Sequence, residues 1–170
     1  MRNISENYTK SIPVSQMVGT VAVWTQSYAG DLIQTICDTT DEVCQIIVPL
    51  EAVKLNDSGE MPTEAKISTL EMSYTIAAAA LDAAVTAEIQ SVAKAVDGAA
   101  PVVTTIACTV SDTVLSDTTT VDDHLIVITP DTNAIMTGDA EYILEVNFDK
   151  AASSTVAITG CKMNAKNMIA

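Results

Sequence analysis

Between Lys66 and Ala77 apolar and polar side chains alternate: Leu70, Met72, Tyr74 and Ile76 fall on one face, and Glu71, Ser73 and Thr75 on the other. A period of two predicts a half-buried β-strand. The run that follows supports two patterns. Leu81, Val85, Ile89, Val92 and Val96 are spaced as a helical stripe, and the alanines around them favour a helix. The same run also fits a strand with Val85, Ala87, Ile89 and Ser91 on one face and Thr86, Glu88 and Gln90 on the other. An α+β domain follows from the first pattern and an all-β sandwich from the second.

Elsewhere the patterning is extended. Strands are expected over Met17–Ser27, Leu32–Cys37, Val43–Leu55, Val102–Val110, Leu125–Thr129, Glu141–Phe148 and Ser154–Met163. In the clearest of these, Val102, Thr104, Ile106, Cys108 and Val110 share one face. Leu125–Thr129 is wholly apolar, as a strand buried on both faces would be. Pro49 lacks an amide hydrogen, which places it on an edge, at a bulge or at a bend. Turn and loop composition separates the strands at Tyr28–Asp31, Asp38–Glu42, Asn56–Thr63, Asp97–Pro101, Ser111–Asp123 and Pro130–Asp139. Eight to nine strands at this spacing predict one antiparallel β-sandwich over residues 17–164. Residues 1–16 are polar and without periodicity, and read as an extended N-terminal arm; residues 165–170 read as a C-terminal tail.

Composition narrows the function. Apolar residues make up 48% of the chain but are small, and aromatics are only 4%, which disfavours a stacking platform for sugars or bases. The net charge of −14 argues against nucleic-acid binding, because phosphate contacts need clustered Lys and Arg. From Met17 to Gly160 there are four basic residues against 21 acidic ones, so an acidic body carries mildly basic ends (Arg2, Lys10, Lys162, Lys166). The polar N-terminus shows no secretory signal, and no apolar run approaches the roughly 20 residues of a membrane span. Synthesis in a cytoplasm, with reduced cysteines, is the expectation.

Few residues suggest chemistry. Cys37 and Cys44 flank the DTTDEV loop. Buried free thiols are the default for this pair; a disulfide, or a metal site with Asp38, Asp41 or Glu42, are the alternatives. Cys108 and Cys161 sit in strand patterns and are assigned to the core. His124, the single histidine, stands beside Asp122 and Asp123. A catalytic triad would need a nucleophile on a sharp turn and an oxyanion hole, and neither is signalled, so His124 is expected on the surface or where a strand begins. The acidic stretches Asp38–Glu42, Asp117–Asp123 and Asp131–Asp139 lack the spaced D-x-D-x-D-G pattern of a calcium loop and are expected to be solvated. No catalytic, cofactor or metal residue is assigned, and no enzyme activity is expected.

The segments YTIAAAALDAAVTAEIQSVAKAVDGAA, VVTTIACTV, VDDHLIVITP and GDAEYILEVNFDKAASSTVAITGCKMN, in this order, resemble small structural proteins of tailed phages: auxiliary capsid, decoration or head-fibre-base proteins. The resemblance covers Lys66–Asn164 and rests on patterning and phrasing. It implies a single jelly roll and an extended Ala83–Ala95. It also implies a homo-oligomer bound to a larger shell (the major capsid protein being the expected partner) through its arm and sheet edges, and a place in the virion. The rival readings are a receptor- or glycan-binding jelly roll, with Trp24, Tyr28, Tyr74 and Tyr142 as candidate contacts, and a filament subunit.

Overall fold

The computed structural model describes residues 5–21, 24–29, 32–37, 43–51, 64–93 and 100–168. The strands are β1 (Ser5–Ile12), β2 (Val18–Val21), β3 (Trp24–Ala29), β4 (Leu32–Cys37), β5 (Val43–Leu50), β6 (Glu64–Ala77) and β7 (Leu81–Ala93). After these come β8 (Val103–Asp112), β9 (Asp123–Pro130), β10 (Ala134–Thr137), β11 (Ala140–Lys150) and β12 (Thr155–Met168). One turn of 3-10 helix, Val14–Gln16, is the sole helical element among the described residues. The fold is therefore all-β, and every strand pairing is antiparallel.

The strand reading of the alanine-rich stretch prevails. In β7, Leu81, Val85, Ala87 and Ile89 are buried, and the strand is paired on both sides, with β11 and β8. Burial between two neighbours overrides the helix propensity of alanine, which is worth only tenths of a kcal/mol per residue. The remaining alanines serve the link between β6 and β7. These two strands are not paired, and Ala78–Ala80 carries the chain from one layer to the other, with Ala78 at φ 70°.

The strands run β2-β5-β11-β7-β8-β9-β6-β12-β4-β3, with β1 added to β12 and β10 to β6. The sheet folds over at β8, whose first half pairs with β7 and whose second half pairs with β9. A strand that changes layers in this way makes the corner of a sandwich. The inward faces on either side of it meet in one core, where Tyr74 of β6 lies edge-on to Phe148 of β11 at 5.1 Å. Such a pair contributes about 0.5–1.5 kcal/mol beyond its buried area.

The open margin opposite β8 is closed in two ways. Cys37 of β4 and Cys44 of β5 are joined as a disulfide, both fully buried. The default expectation of free thiols is corrected here: two inward-facing positions on strands of opposite layers are brought together. Trp24 of β3 lies directly over Gly19 of β2, where a Cβ would stand 2.8 Å from the Cβ of Trp24. Trp24 also meets Phe148 edge-on at 6.2 Å.

Several boundaries differ from the expectation. Residues 5–12, read as part of an arm, are extended but pair along their full length with β12, and Ile12, Val14 and Met17 are buried. The expected strand over residues 17–27 is divided between β2 and β3. β10 lies inside the stretch read as a Pro130–Asp139 loop, and residues 165–168, read as tail, belong to β12. Twelve strands among the described residues thus replace eight or nine. Leu125–Thr129 is not buried on both faces: Ile126 and Ile128 are buried, and Leu125 and Val127 are half-exposed. Pro49 pairs with Ile143 of β11, and the described pairing of β2 with β5 stops at Ile47, so no neighbouring strand needs its missing N–H.

Candidate functional site

A buried group of polar side chains lies where β6, β7, β8 and β9 meet. The side chains of His124 and Asp112 are fully buried, with Nδ1 of His124 2.6 Å from Oδ2 of Asp112. Nε2 of His124 lies 2.8 Å from the carbonyl of Thr120. The ring is thus held from both sides, by a carboxylate and by a backbone carbonyl. The other carboxylate oxygen of Asp112 accepts the N–H groups of Val114 (2.8 Å) and Leu115 (3.0 Å). Burial pushes the Asp112 carboxyl up, but the hydrogen bonds from Leu115, His124 and Val114 outweigh it and hold the group below its usual range.

Tyr74 stacks on the imidazole at 4.7 Å and donates its hydroxyl to the carbonyl of Thr118 (3.0 Å). Burial, with the charges of Asp112 and Asp117, raises the Tyr74 phenol far above its usual value and keeps it a donor. Thr118 Oγ1 accepts the N–H of Val85, and the carbonyls of Thr119 and Asp122 accept the N–H groups of Leu81 and Ile76. Residues 113–122 are thereby fastened over one end of the sandwich.

This group resembles two-thirds of a triad, but its chemistry is committed to the fold. The nitrogen that would face a nucleophile is bound to a backbone carbonyl, and neither side chain reaches solvent. His124 stands near the start of β9, as expected, but it is 3% exposed, which corrects the surface alternative. Its partner is Asp112 and not the adjacent Asp122 or Asp123. Nothing in the sequence marks Asp112, which lies twelve positions away and meets His124 only because β8 and β9 pair.

The acidic stretches are used locally. Asp117 binds the N–H and hydroxyl of Thr119, and Thr119 is the leading cause of its lowered pKa. Asp122 accepts the N–H of Asp123, Asp123 accepts the hydroxyl of Thr75, and Asp131 accepts that of Thr109. Among the described residues, no group of three or more His, Cys, Asp or Glu side chains is placed to hold a metal ion. Asp38–Glu42 lies outside the described residues. The candidate aromatics do not converge on a platform. Trp24 packs on Phe148, and Tyr74 is buried. The Tyr142 hydroxyl is engaged by Thr137, and the side chain of Tyr28 is outside the described set. Cys108 and Cys161 are free thiols, pushed up to about 11 and about 12 chiefly by burial. Lys150, not singled out by its sequence context, is buried and donates to the carbonyl of Ser154.

Two surface features remain open to a partner. The first is a polar groove. Opposite β12 the register of β6 slips between Thr69 and Ile67, leaving Ser68 as the extra residue of a bulge. On its other side β6 passes from β9 to β10 across the turn Asp131–Asn133. Beside Ser68 lie two adjoining concavities, of about 600 Å³ with Lys66, Asp131, Thr132 and Asn133, and about 390 Å³ with Asn7, Tyr8, Thr9 and Asn164. Asn164 is held there by Thr9, Thr69 and Glu71.

The second feature is apolar. Val102 (64% exposed), Val103 (54%), Val114 (62%) and Val121 (51%) lie on β8 or on the segments flanking it. Val18, Ile33 and Val43 are exposed near the two ends of the strand path.

No family model matches the chain, and no curated protein matches it. Among solved structures, it is similar to one described as "CBM4 structure and function", with 11% identity, over 91% of this chain and 95% of that one, at a TM-score of 0.41.

Proposed function

We propose that the chain is a structural protein of a tailed-phage particle: an auxiliary capsid or decoration protein with a jelly-roll-like sandwich, present in many copies and bound to a larger shell. The observation that carries this reading is the division of labour among its side chains. The groups able to do chemistry (His124, Asp112, Tyr74 and Lys150) are buried and hydrogen-bonded, whereas the outward-facing side chains include apolar residues at β8 and at the opposite margin. Exposed apolar side chains grouped at margins suit protein–protein contact. Repetition by symmetry turns many weak contacts into firm attachment. The segments quoted for the resemblance form most of β7, β8, β9, β11 and β12, and an all-β sandwich supports the resemblance as far as fold class goes. A disulfide suits a particle that matures outside the reducing cytoplasm in which its subunits are made.

Mass spectrometry of purified particles whose genome encodes this chain tests the proposal. The chain is expected at many copies per particle, and its absence from the particles overturns the reading.

The groove at Ser68 favours a second reading, a glycan-binding module. Lys66, Asn133, Asn7 and Asn164 offer the amide and ammonium groups that pair with sugar hydroxyls. A glycan array with the purified chain, repeated with Asn164→Ala, tests it. Binding lost in the variant supports the reading, and an empty array removes it.

A further inference from the structure

In the pairing of β8 with β7, the hydrogen bond from the Ala93 N–H to the Val102 carbonyl sets the alternation. Val102, Thr104 and Ile106 turn their backbone groups toward β7, and Val103, Thr105 and Ala107 turn theirs away. On that far side β9 pairs with β8 only from Cys108 onward, and the Ala107 carbonyl is taken by the N–H of Asp131. The N–H and C=O groups of Val103 and Thr105 have no backbone partner among the described residues. Among the described residues this stretch is an open strand edge in the midst of the sheet order, made by the same change of layers that turns the corner.

The edge lacks the usual protection. Residues 100–111 carry no charge, and 100–105 are all exposed, so the ribbon stands clear of the sandwich on both faces. Three other edges are guarded: β2 has four residues and a register shift, β10 has four residues, and β1 carries Lys10. An uncharged, apolar, unpaired edge is a template for another strand.

We infer that the Val103–Thr105 edge of β8 pairs antiparallel with the same edge of a second copy of this chain. The edge is self-complementary about a two-fold axis. With Thr104 opposite Thr104, Val103 of each copy faces Thr105 of the other, and the outward groups of both residues form four hydrogen bonds. Val102 then lies across from Ile106, an apolar cross-strand pair. That matching of the edge to itself, apolar against apolar, points to a second copy as the occupant. A chain of net charge −14 repels itself wherever its carboxylates face each other, and this ribbon lets two copies meet without bringing any together. The pairing is a property of the purified chain, and it fails in a different experiment from the particle reading.

Sedimentation velocity of the pure chain, from micromolar to on the order of 100 μM, gives the first readout: a monomer–dimer equilibrium is expected, and a monomer throughout overturns the inference. Thr105→Pro removes the outward N–H but no bond of the β7 ladder, and Val103→Lys places a charge on the edge. Each is expected to weaken association at least tenfold with an unchanged far-ultraviolet spectrum. Dimerisation as tight as wild type in both, or an equal loss in the control Val114→Lys, overturns it. Thr104→Cys reports the register: its side chains meet in a non-hydrogen-bonded pair, so mild oxidation is expected to give a covalent dimer. Failure to cross-link overturns that register.

Discussion

His124 and Asp112 face each other at 2.6 Å with no solvent reaching either side chain, and each also holds backbone of the segment between them. The pair ties residues 113–122 to the sandwich from within. Removing one partner leaves the other buried without its hydrogen-bond partner, a loss of about 1–3 kcal/mol. Asp112→Asn, which keeps the shape, is expected to lower the urea midpoint sharply and to expose residues 113–122 to proteolysis. A midpoint within experimental error of wild type would contradict this role.

The same carboxylate sets an acid limit. Its folded pKa is depressed below 3.8, so its contribution is present above that value and is lost as pH falls through the folded pKa. Glu71, lowered chiefly by the hydrogen bond from Lys162, and Asp117 act in the same direction. Stability measured by urea titration is therefore expected to decline below about pH 4, with a shallower decline in Asp112→Asn. An equal slope in both proteins would remove Asp112 from the account.

Thiol counting checks the disulfide. The unfolded, unreduced chain is expected to show two reactive thiols, Cys108 and Cys161, and four after reduction. In the folded chain Cys161 is expected to react far more slowly than in the unfolded chain, because it is buried and its pKa is about 12. Loss of the bridge between β4 and β5 is expected to cost about 2 kcal/mol for so short a loop.

Ala78 occupies left-handed backbone at φ 70°, where an L side chain is strained. Ala78→Gly relieves that strain but adds freedom to the unfolded chain. A net gain of about 0.5–1 kcal/mol is expected in chemical denaturation, and a loss would mean that the Ala78 methyl packs productively.

Deleting residues 1–12 removes β1 from β12 and takes Ile12 from the core. The truncated chain is expected to lose at least about 2 kcal/mol and to aggregate through the bared edge of β12, as size-exclusion chromatography would show. Undiminished stability would mean that β1 is only loosely applied.

The sequence carried the sheet well wherever burial is one-sided, because a period of two then writes the inward face into the residues. Leu70, Met72, Tyr74 and Ile76 are buried as their alternation predicts, as are Val85, Ala87 and Ile89. It was silent where a strand buries few side chains or is very short. SENYTKSI has one fully buried residue among those whose side chains are described, and AIMT is too short to show a period. The His124–Asp112 contact was illegible for another reason: it depends on the pairing of two strands, and composition suggested the nearer aspartates. Cys37 and Cys44 flank one loop, but whether they are thiols or a bond depends on which layers their strands join.

The partnership of β1 with β12 also sets a schedule. Thr9 and Asn164 are 155 positions apart. At 5–20 residues per second, a ribosome needs roughly 8–30 s to travel from one to the other. Throughout that interval the first strand must wait without its mate, and a polar octapeptide with a lysine can do so without clumping. The scarcity of grease in SENYTKSI, which hid the strand from view, is what makes the delay safe.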